Sequence, residues 1–450
     1  MVFSSLQFIY IFLPVFFMVY FLTPAKDRNV ILYLGSLVFY TVGVIECPWY
    51  LLLLLSSVLV DFAAGLAMGK GKKRRTFFLI AGVGYHLVFL IFFKYMNQFI
   101  PENNWLLPAG ISFYSFQGIS YLADVYRKKC KPEPSFLKVA TYISMFPQLI
   151  AGPIVTYDEV ADHLDKRRHS KRRFLKGMEF FIGGLALKVL LANPMGSLFT
   201  ELGTIGYESV STPLAWMGIL AFTFQIYFDF FGYSLMAIGL GYCMGFKLPK
   251  NFNHPYMSKT MTEFWRRWHI TLGRWFREYV YIPMGGNRKG GFRTLINLAV
   301  VWFLTGIWHG SSVNFLMWAG FILIFILLEK LFLRKIMEKF SLLGHLYMFL
   351  LIPLSWVFFA ITDFSSILVF MGRLFPFDGN FGVYPGDYLE YLGSYWYLFI
   401  PAFFLATPLP YKLYGKCPVA LKVVGMLVLL GGATYCMFRG MNDPFLYFRF

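Results

Sequence analysis

The sequence predicts an all-α, polytopic integral membrane protein, and three observations carry that prediction. Hydrophobic residues fill 58% of the 450 positions and charged residues only 14%, with a mean hydropathy of +0.59, whereas soluble domains carry about 25% charge. Apolar stretches recur at about the 20-residue length that crosses a bilayer as a helix. Lys and Arg cluster between those stretches as the positive-inside bias requires, which accounts for the net charge of +18 without nucleic acid as a partner. The 53 Phe, 29 Tyr and 11 Trp suit helices that face lipid and carry aromatic rings at the headgroup level.

Taken in order, the first apolar runs lie at 6–24, 29–46, 48–68 and 76–99. No basic stretch precedes the first run, and Lys26 and Arg28 follow it, so it is expected to stay as a spanning helix and not to be cleaved as a signal. Lys70, Lys72, Lys73, Arg74 and Arg75 mark the cytoplasmic side, together with the Lys26–Arg28 link. A fifth span at 107–126 delivers Arg127, Lys128, Lys129 and Lys131 to that side, where Lys166 to Arg173 must also lie. The stretch between these clusters, Phe136 to Val155, is broken by Pro147, Gly152 and Pro153. It predicts a re-entrant element buried in protein, with Gln148 as a polar partner for its non-helical backbone.

Spans near 174–200 and 214–242 precede a long basic stretch that runs from Lys247 to Arg293. The runs 294–309 and 312–328 have basic outer flanks, the second being Glu329 to Lys339 with Lys330, Arg334, Lys335 and Lys339, and therefore form a hairpin. Later spans lie near 343–361, 395–411 and 418–437, and an outside loop with Asp378, Asp387 and Glu390 separates the first two. The total is about 11 or 12 crossings, with re-entrant and interfacial helices besides. No repeat of fixed period and no linker divides the chain, so residues 1–450 read as a single membrane domain. The five cysteines show neither C-x-x-C spacing nor histidines in ligand register, so no disulfide framework and no metal site are expected.

The hairpin holds the most informative histidine. From Thr294 to His309 is about 16 residues, or roughly 24 Å of helix, less than the hydrocarbon thickness. An ionisable ring at that depth is costly unless it lines a polar cavity, which makes His309 the leading catalytic candidate. Trp308 would wall a pocket, and Gly310 would allow close backbone approach. The plain alternative is a histidine bonded to a carbonyl at a helix end. His269 closes the run Glu263-Phe-Trp-Arg-Arg-Trp-His269, in which Trp265 and Trp268 alternate with Arg266 and Arg267. At helical spacing this is a helix lying in the membrane surface, or equally a basic aromatic platform for the phosphates of a nucleotide thioester. Asp229 is the deepest of the other intramembrane polar residues, and orients a histidine or bonds the hydroxyls of Tyr233 and Ser234. Asp61, His86, Lys94, Asp124, Lys188 and Asp363 read as structural pairs or helix-end residues. No G-x-S-x-G elbow, Walker loop, H-E-x-x-H or dinucleotide fingerprint is present.

These residues together resemble the membrane-bound O-acyltransferase family, particularly its bacterial branch typified by the membrane subunit of alginate O-acetylation. The likeness rests on Met1-Val-Phe-Ser-Ser5, Pro147-Gln-Leu-Ile-Ala-Gly-Pro-Ile154, Phe228-Asp-Phe-Phe-Gly-Tyr-Ser234 and Asn251-Phe-Asn-His-Pro-Tyr256. Glu263-Phe-Trp-Arg-Arg-Trp-His269, Thr305-Gly-Ile-Trp-His-Gly310 and the ending Pro444-Phe-Leu-Tyr-Phe-Arg-Phe450 extend it over nearly the whole chain. The resemblance implies helices around a central funnel, His309 as the essential histidine and His269 as a second polar position. It also implies a bacterial cytoplasmic membrane, an acyl thioester donor such as acetyl-coenzyme A, and no permanently bound cofactor. The acceptor would be a hydroxyl of an envelope polysaccharide, reached directly or through an extracytoplasmic SGNH-type serine acetyltransferase. Candidate substrate-binding residues are Trp308, Asp229, Gln148, Asn253, Trp265, Arg266 and Trp268. Three rival readings stay open at this point: D-alanyl transfer to teichoic acids, transport of a glycan or lipid intermediate, and protein lipidation.

Overall fold

A backbone surrounded by lipid must satisfy its own hydrogen bonds, and a helix does this within one segment. The computed structural model describes residues 1–69, 74–100, 107–376 and 383–440, and every regular element among them is helical. Lys70, Lys72, Lys73, Asp378 and the closing motif from Pro444 to Phe450 lie outside the described residues. Seven helices are long and apolar enough to cross a membrane, or up to eight if one pair bent by 78° counts as a single span. This is a multi-pass membrane architecture. Several of the expected crossings are helices of 16 residues or fewer, such as Arg28–Gly43 and Ile111–Tyr126. Where protein surrounds a helix, its length no longer has to match the bilayer.

The described chain groups into two compact units, Met1–Leu185 with Tyr233–Lys250, and Ala186–Gly232 with Asn251–Phe450. The first contains α1 (Leu13–Leu22), α2 (Arg28–Gly43), α3 (Trp49–Gly69), α4 (Arg75–Phe99) and α5 (Ile111–Tyr126). Then come α6 (Phe136–Ser144), α7 (Phe146–Leu149), α8 (Tyr157–Asp165) and α9 (Lys171–Ala186). α5 is buried along nearly its whole length and packs on both α3 and α4. His86 and Asp61, both buried, bond at 2.9 Å across α4 and α3, one of the structural pairs the sequence suggested. Asp124 likewise pairs with Lys129 at 3.1 Å.

The expected break in a protein-buried stretch falls between α6 and α7, where Met145 is non-helical and Pro147 opens the next short helix. Side chains satisfy the interrupted backbone at depth. Gln148 Nε2 donates to the Tyr142 carbonyl at 2.6 Å, the Phe146 N–H donates to Ser36 Oγ at 3.1 Å, and Tyr142 donates to the Val155 carbonyl at 2.9 Å. Asp363 is a helix-end residue as expected, capping the helix Phe364–Leu374 through Ser366 N.

The second unit starts with a π-helical turn, Leu187–Ala192, running into α10 (Asn193–Ile205). Pro194 has no N–H for the Leu190 carbonyl, and the widened turn accommodates the loss. α11 (Thr212–Cys243) follows, then α12 (Met261–Arg267) and α13 (Ile270–Phe276). The expected hairpin is present as α14 (Gly291–His309) and α15 (Val313–Leu328). α16 (Arg334–Lys339), α17 (Ser341–Ala360), α18 (Phe364–Leu374), α19 (Asp387–Leu405), α20 (Leu409–Lys416) and α21 (Val419–Phe438) complete it. α15 packs against both α14 and α17.

A Cβ at Gly118 of α5 would lie 2.3 Å from His86 Nε2 and 2.4 Å from Asp61 Oδ2. Gly118→Ala is therefore expected to push the pair apart and lower stability by about 1–3 kcal/mol. Thermal unfolding in detergent checks this, with Gly84→Ala as the control because a Cβ there meets nothing.

Candidate active site

α14 delivers His309 as its last residue. The helix begins at Gly291, three residues before the expected start, so its 19 residues span roughly 28 Å. That is close to the hydrocarbon thickness of about 30 Å, which places the His309 ring nearer the far end of a crossing than the sequence suggested. His309 is buried, with 7% of the residue exposed. Its walls are aromatic, with Trp308 and Trp318 centroids each at 4.9 Å and Phe359 at 5.3 Å. Gly310 is needed where it stands, since a Cβ there would lie 2.2 Å from the Phe315 ring.

The walls come from four helices. Trp318 on α15 stacks near Trp356 on α17 at 6.1 Å, while Trp265 on α12 meets Trp318 at 5.5 Å and Trp302 on α14 at 5.0 Å. The indole N–H groups of Trp265 and Trp318 are buried and meet no acceptor among the described residues. Such donors are costly to leave unmet, and substrate is one way to satisfy them.

The run around His269 differs from the surface helix that helical spacing implied. It breaks into α12 and α13, with Trp268 extended and His269 in the left-handed region at φ +45°. Trp268, Trp275 and Phe276 are buried at 4%, 6% and 4% exposure, so these rings pack inward and do not anchor a membrane surface. A non-glycine residue at positive φ is strained and persists where the surroundings hold it. Here Asn251 does the holding. Its Oδ1 lies 3.2 Å from His269 Nδ1 and also accepts from Thr271 Oγ1 at 3.0 Å and Thr271 N at 3.3 Å. Three donors on one oxygen assign the His269 proton to Nδ1 and leave Nε2 as the basic nitrogen. Burial pushes the His269 imidazole down to about 3, so it is neutral at physiological pH. Trp308 bridges the two histidines, its ring 6.0 Å from His269 and 4.9 Å from His309. Phe230 closes on His269 at 4.7 Å.

The buried Glu329 side chain, which the sequence reading placed in a basic flank, holds this arrangement in position. Its carboxylate accepts from Met261 N, from Thr262 N at 2.9 Å and from Thr262 Oγ1 at 2.7 Å. A carboxylate at a helix N-terminus is stabilising, and it fixes the start of a helix only seven residues long.

The remaining expected residues fall elsewhere. Asn253 is exposed and bonds through its backbone N–H to the Arg267 carbonyl at 2.9 Å; the asparagine that reaches His269 is Asn251. Arg266 is exposed. Asp229 pairs with Lys188 of the π-helical turn at 2.6 Å, both buried. Gln148 lies in the first unit on the Tyr142 carbonyl. A cavity of about 500 Å³ beside α11 and α19 is lined by Trp216, Leu220, Trp396 and Phe403 and contains none of these residues.

The membrane-bound O-acyltransferase family profile matches residues 131–372. The chain belongs to this family. Both histidines, Asn251 and Glu329 fall inside the matched residues. A probable alginate O-acetylase from Pseudomonas putida is 36% identical, covering 84% of this chain and 81% of its own length. The peptidoglycan O-acetyltransferase of Helicobacter pylori is 33% identical, covering 84% and 80%. The teichoic acid D-alanyltransferase of Bacillus subtilis is 26% identical over 48% of this chain and 58% of its own length. This membrane-bound O-acyltransferase is thus an enzyme of acyl transfer, and a purely transporting role is not its assignment.

Two measurements follow from the site. Lys188→Met removes one partner of a buried ion pair and is expected to cost about 3–5 kcal/mol, whereas Lys188→Met with Asp229→Leu costs less; thermal unfolding of both variants reads the difference. The His269 pKa lies below its unfolded value of about 6.5, so the unfolded chain binds the extra proton first. Stability should therefore fall as pH drops from about 6.5 toward 3, and His269→Asn should flatten that slope in unfolding curves taken across the range.

Proposed function

We propose that this enzyme, in a bacterial cytoplasmic membrane, moves an acetyl group from acetyl-coenzyme A to a hydroxyl of an envelope polysaccharide. The acceptor is reached directly or through an SGNH-type serine acetyltransferase on the outer face. The observation that carries the reading is the His309 imidazole, buried at a helix end and walled by aromatic rings from three helices. The names of the relatives that cover 84% of the chain support acetyl transfer to alginate or peptidoglycan over D-alanyl transfer.

In this mechanism His309 accepts the proton of the acceptor hydroxyl as its oxygen attacks the thioester carbonyl. The C–S bond breaks, the new ester forms, and the coenzyme leaves as a thiolate that takes up a proton. The unmet indole N–H groups of Trp265 and Trp318 are suited to the carbonyl oxygen, where negative charge develops. His269, neutral and locked by Asn251, acts through Trp308 to hold the wall against which the thioester lies. Arg266 and Arg277, both exposed, are available to the donor's phosphates.

His309→Ala is expected to lower transfer of labelled acetyl from acetyl-coenzyme A by about 10²–10⁴-fold, with expression and melting temperature retained. Proteoliposomes with the donor outside and the acceptor enclosed provide the assay. Transfer that survives the substitution removes the reading.

A further inference from the structure

Three arginines and a histidine gather in the first unit. Arg28 opens α2, Arg167 and His169 lie in the link between α8 and α9, and Arg173 sits in the first turn of α9. The guanidinium carbons of Arg28 and Arg167 lie 5.4 and 5.8 Å from the Tyr20 ring centre, so two cations share one phenol. The His169 ring is 5.8 Å from the same Tyr20 ring and 5.7 Å from Phe21. Phe246 lies 4.9 Å from Arg167 and Tyr242 lies 5.9 Å from Arg173, completing an apolar surround in which like charges repel more than in open water.

The hydrogen bonds of these arginines go to neutral oxygens. Arg28 Nε donates to the Thr23 carbonyl at 3.1 Å, Arg173 Nη1 to the Arg168 carbonyl at 2.9 Å, and Arg167 Nη2 to Asn29 Oδ1. Among the described residues, none of the three forms an ion pair with a carboxylate. Arg167 Nη1 and His169 Nδ1 are buried and meet no hydrogen-bond partner among the described residues. Burial, then Arg28, Arg167 and Arg173, push the His169 imidazole down to about 4.

We propose that Arg28, Arg167, Arg173 and His169 form a binding site for a phosphate group, carried by a phospholipid headgroup or by a soluble phosphate ester. A phosphate offers several oxygens to guanidinium forks, and its charge answers three cations better than a single carboxylate does. The cluster stands between basic runs on the side where headgroups meet the positive flanks of the helices. This site is argued from the first unit alone and does not depend on the acetyl-transfer reading.

The test uses the full chain in nanodiscs of pure phosphatidylcholine titrated with pyrophosphate, and in discs containing about one third phosphatidylglycerol. The readout is the His169 ring signal in NMR, assigned by its loss in His169→Gln. An anion in the site should raise the His169 midpoint by about one unit or more. A rise with phosphatidylglycerol alone identifies the lipid headgroup, and a rise with pyrophosphate in neutral discs identifies a soluble phosphate. Arg173→Gln, on a half-buried helix face, should weaken the effect about tenfold in the pyrophosphate concentration required. An unchanged midpoint in both discs, or a rise that Arg173→Gln leaves intact, overturns the proposal.

Discussion

An ionisable ring held where bulk water is scarce must be accommodated by protein, and the placement of His309 is the constraint on which the rest of the site depends. The solution here is an aromatic enclosure drawn from several helices, with Trp308, Trp318 and Phe359 against the ring. Each wall is itself fixed by a polar contact. Asn314 at the start of α15 donates to the Phe358 carbonyl at 2.9 Å, tying the hairpin to α17. Glu329 at the other end of α15 fixes α12 and thereby Trp265. The apolar walls lower the local dielectric, so any charge within them is felt more strongly than it would be in water.

The two histidines differ in what their surroundings allow. His269 is 2% exposed, strained in its backbone and anchored through Nδ1 to Asn251, which fixes its tautomer and suits a positioning part. His309 ends a helix and lies among the rings of Trp308, Trp318 and Phe359. The Trp308 ring between them means that a shift of one is transmitted to the other by contact, without a direct hydrogen bond being required.

Legibility in the sequence followed the physical range of each signal. Apolar run length and basic flanks predicted α14 and α15 as a hairpin, and proline and glycine predicted the break near Pro147, because both signals are local. Helical spacing suggested one surface helix across Trp265 to Phe276, and it erred because spacing cannot show that a chain turns at a residue of positive φ. Asn253 and Asn251 sit in the same loop motif with no periodicity to separate them, so the residue that reaches His269 was not distinguishable. Glu329 looked like part of a charged flank, since nothing nearby in sequence reveals that its partners are Met261 and Thr262. Asp229 read as deep and polar, correctly, but its partner Lys188 lies on another helix.

By itself the sequence determined that this chain spans a membrane as helices, that His309 ends one of them, and that its motifs are those of the membrane-bound O-acyltransferase family. Those properties follow from composition, run length and local chemistry, which act over one helix or one turn. Tertiary structure alone decided which rings surround His309, that burial keeps His269 neutral while Asn251 anchors its Nδ1, and that Glu329 caps α12. Contacts between residues distant in the chain depend on how helices cross and on which polar atoms lack a partner until they do, and no local pattern encodes either.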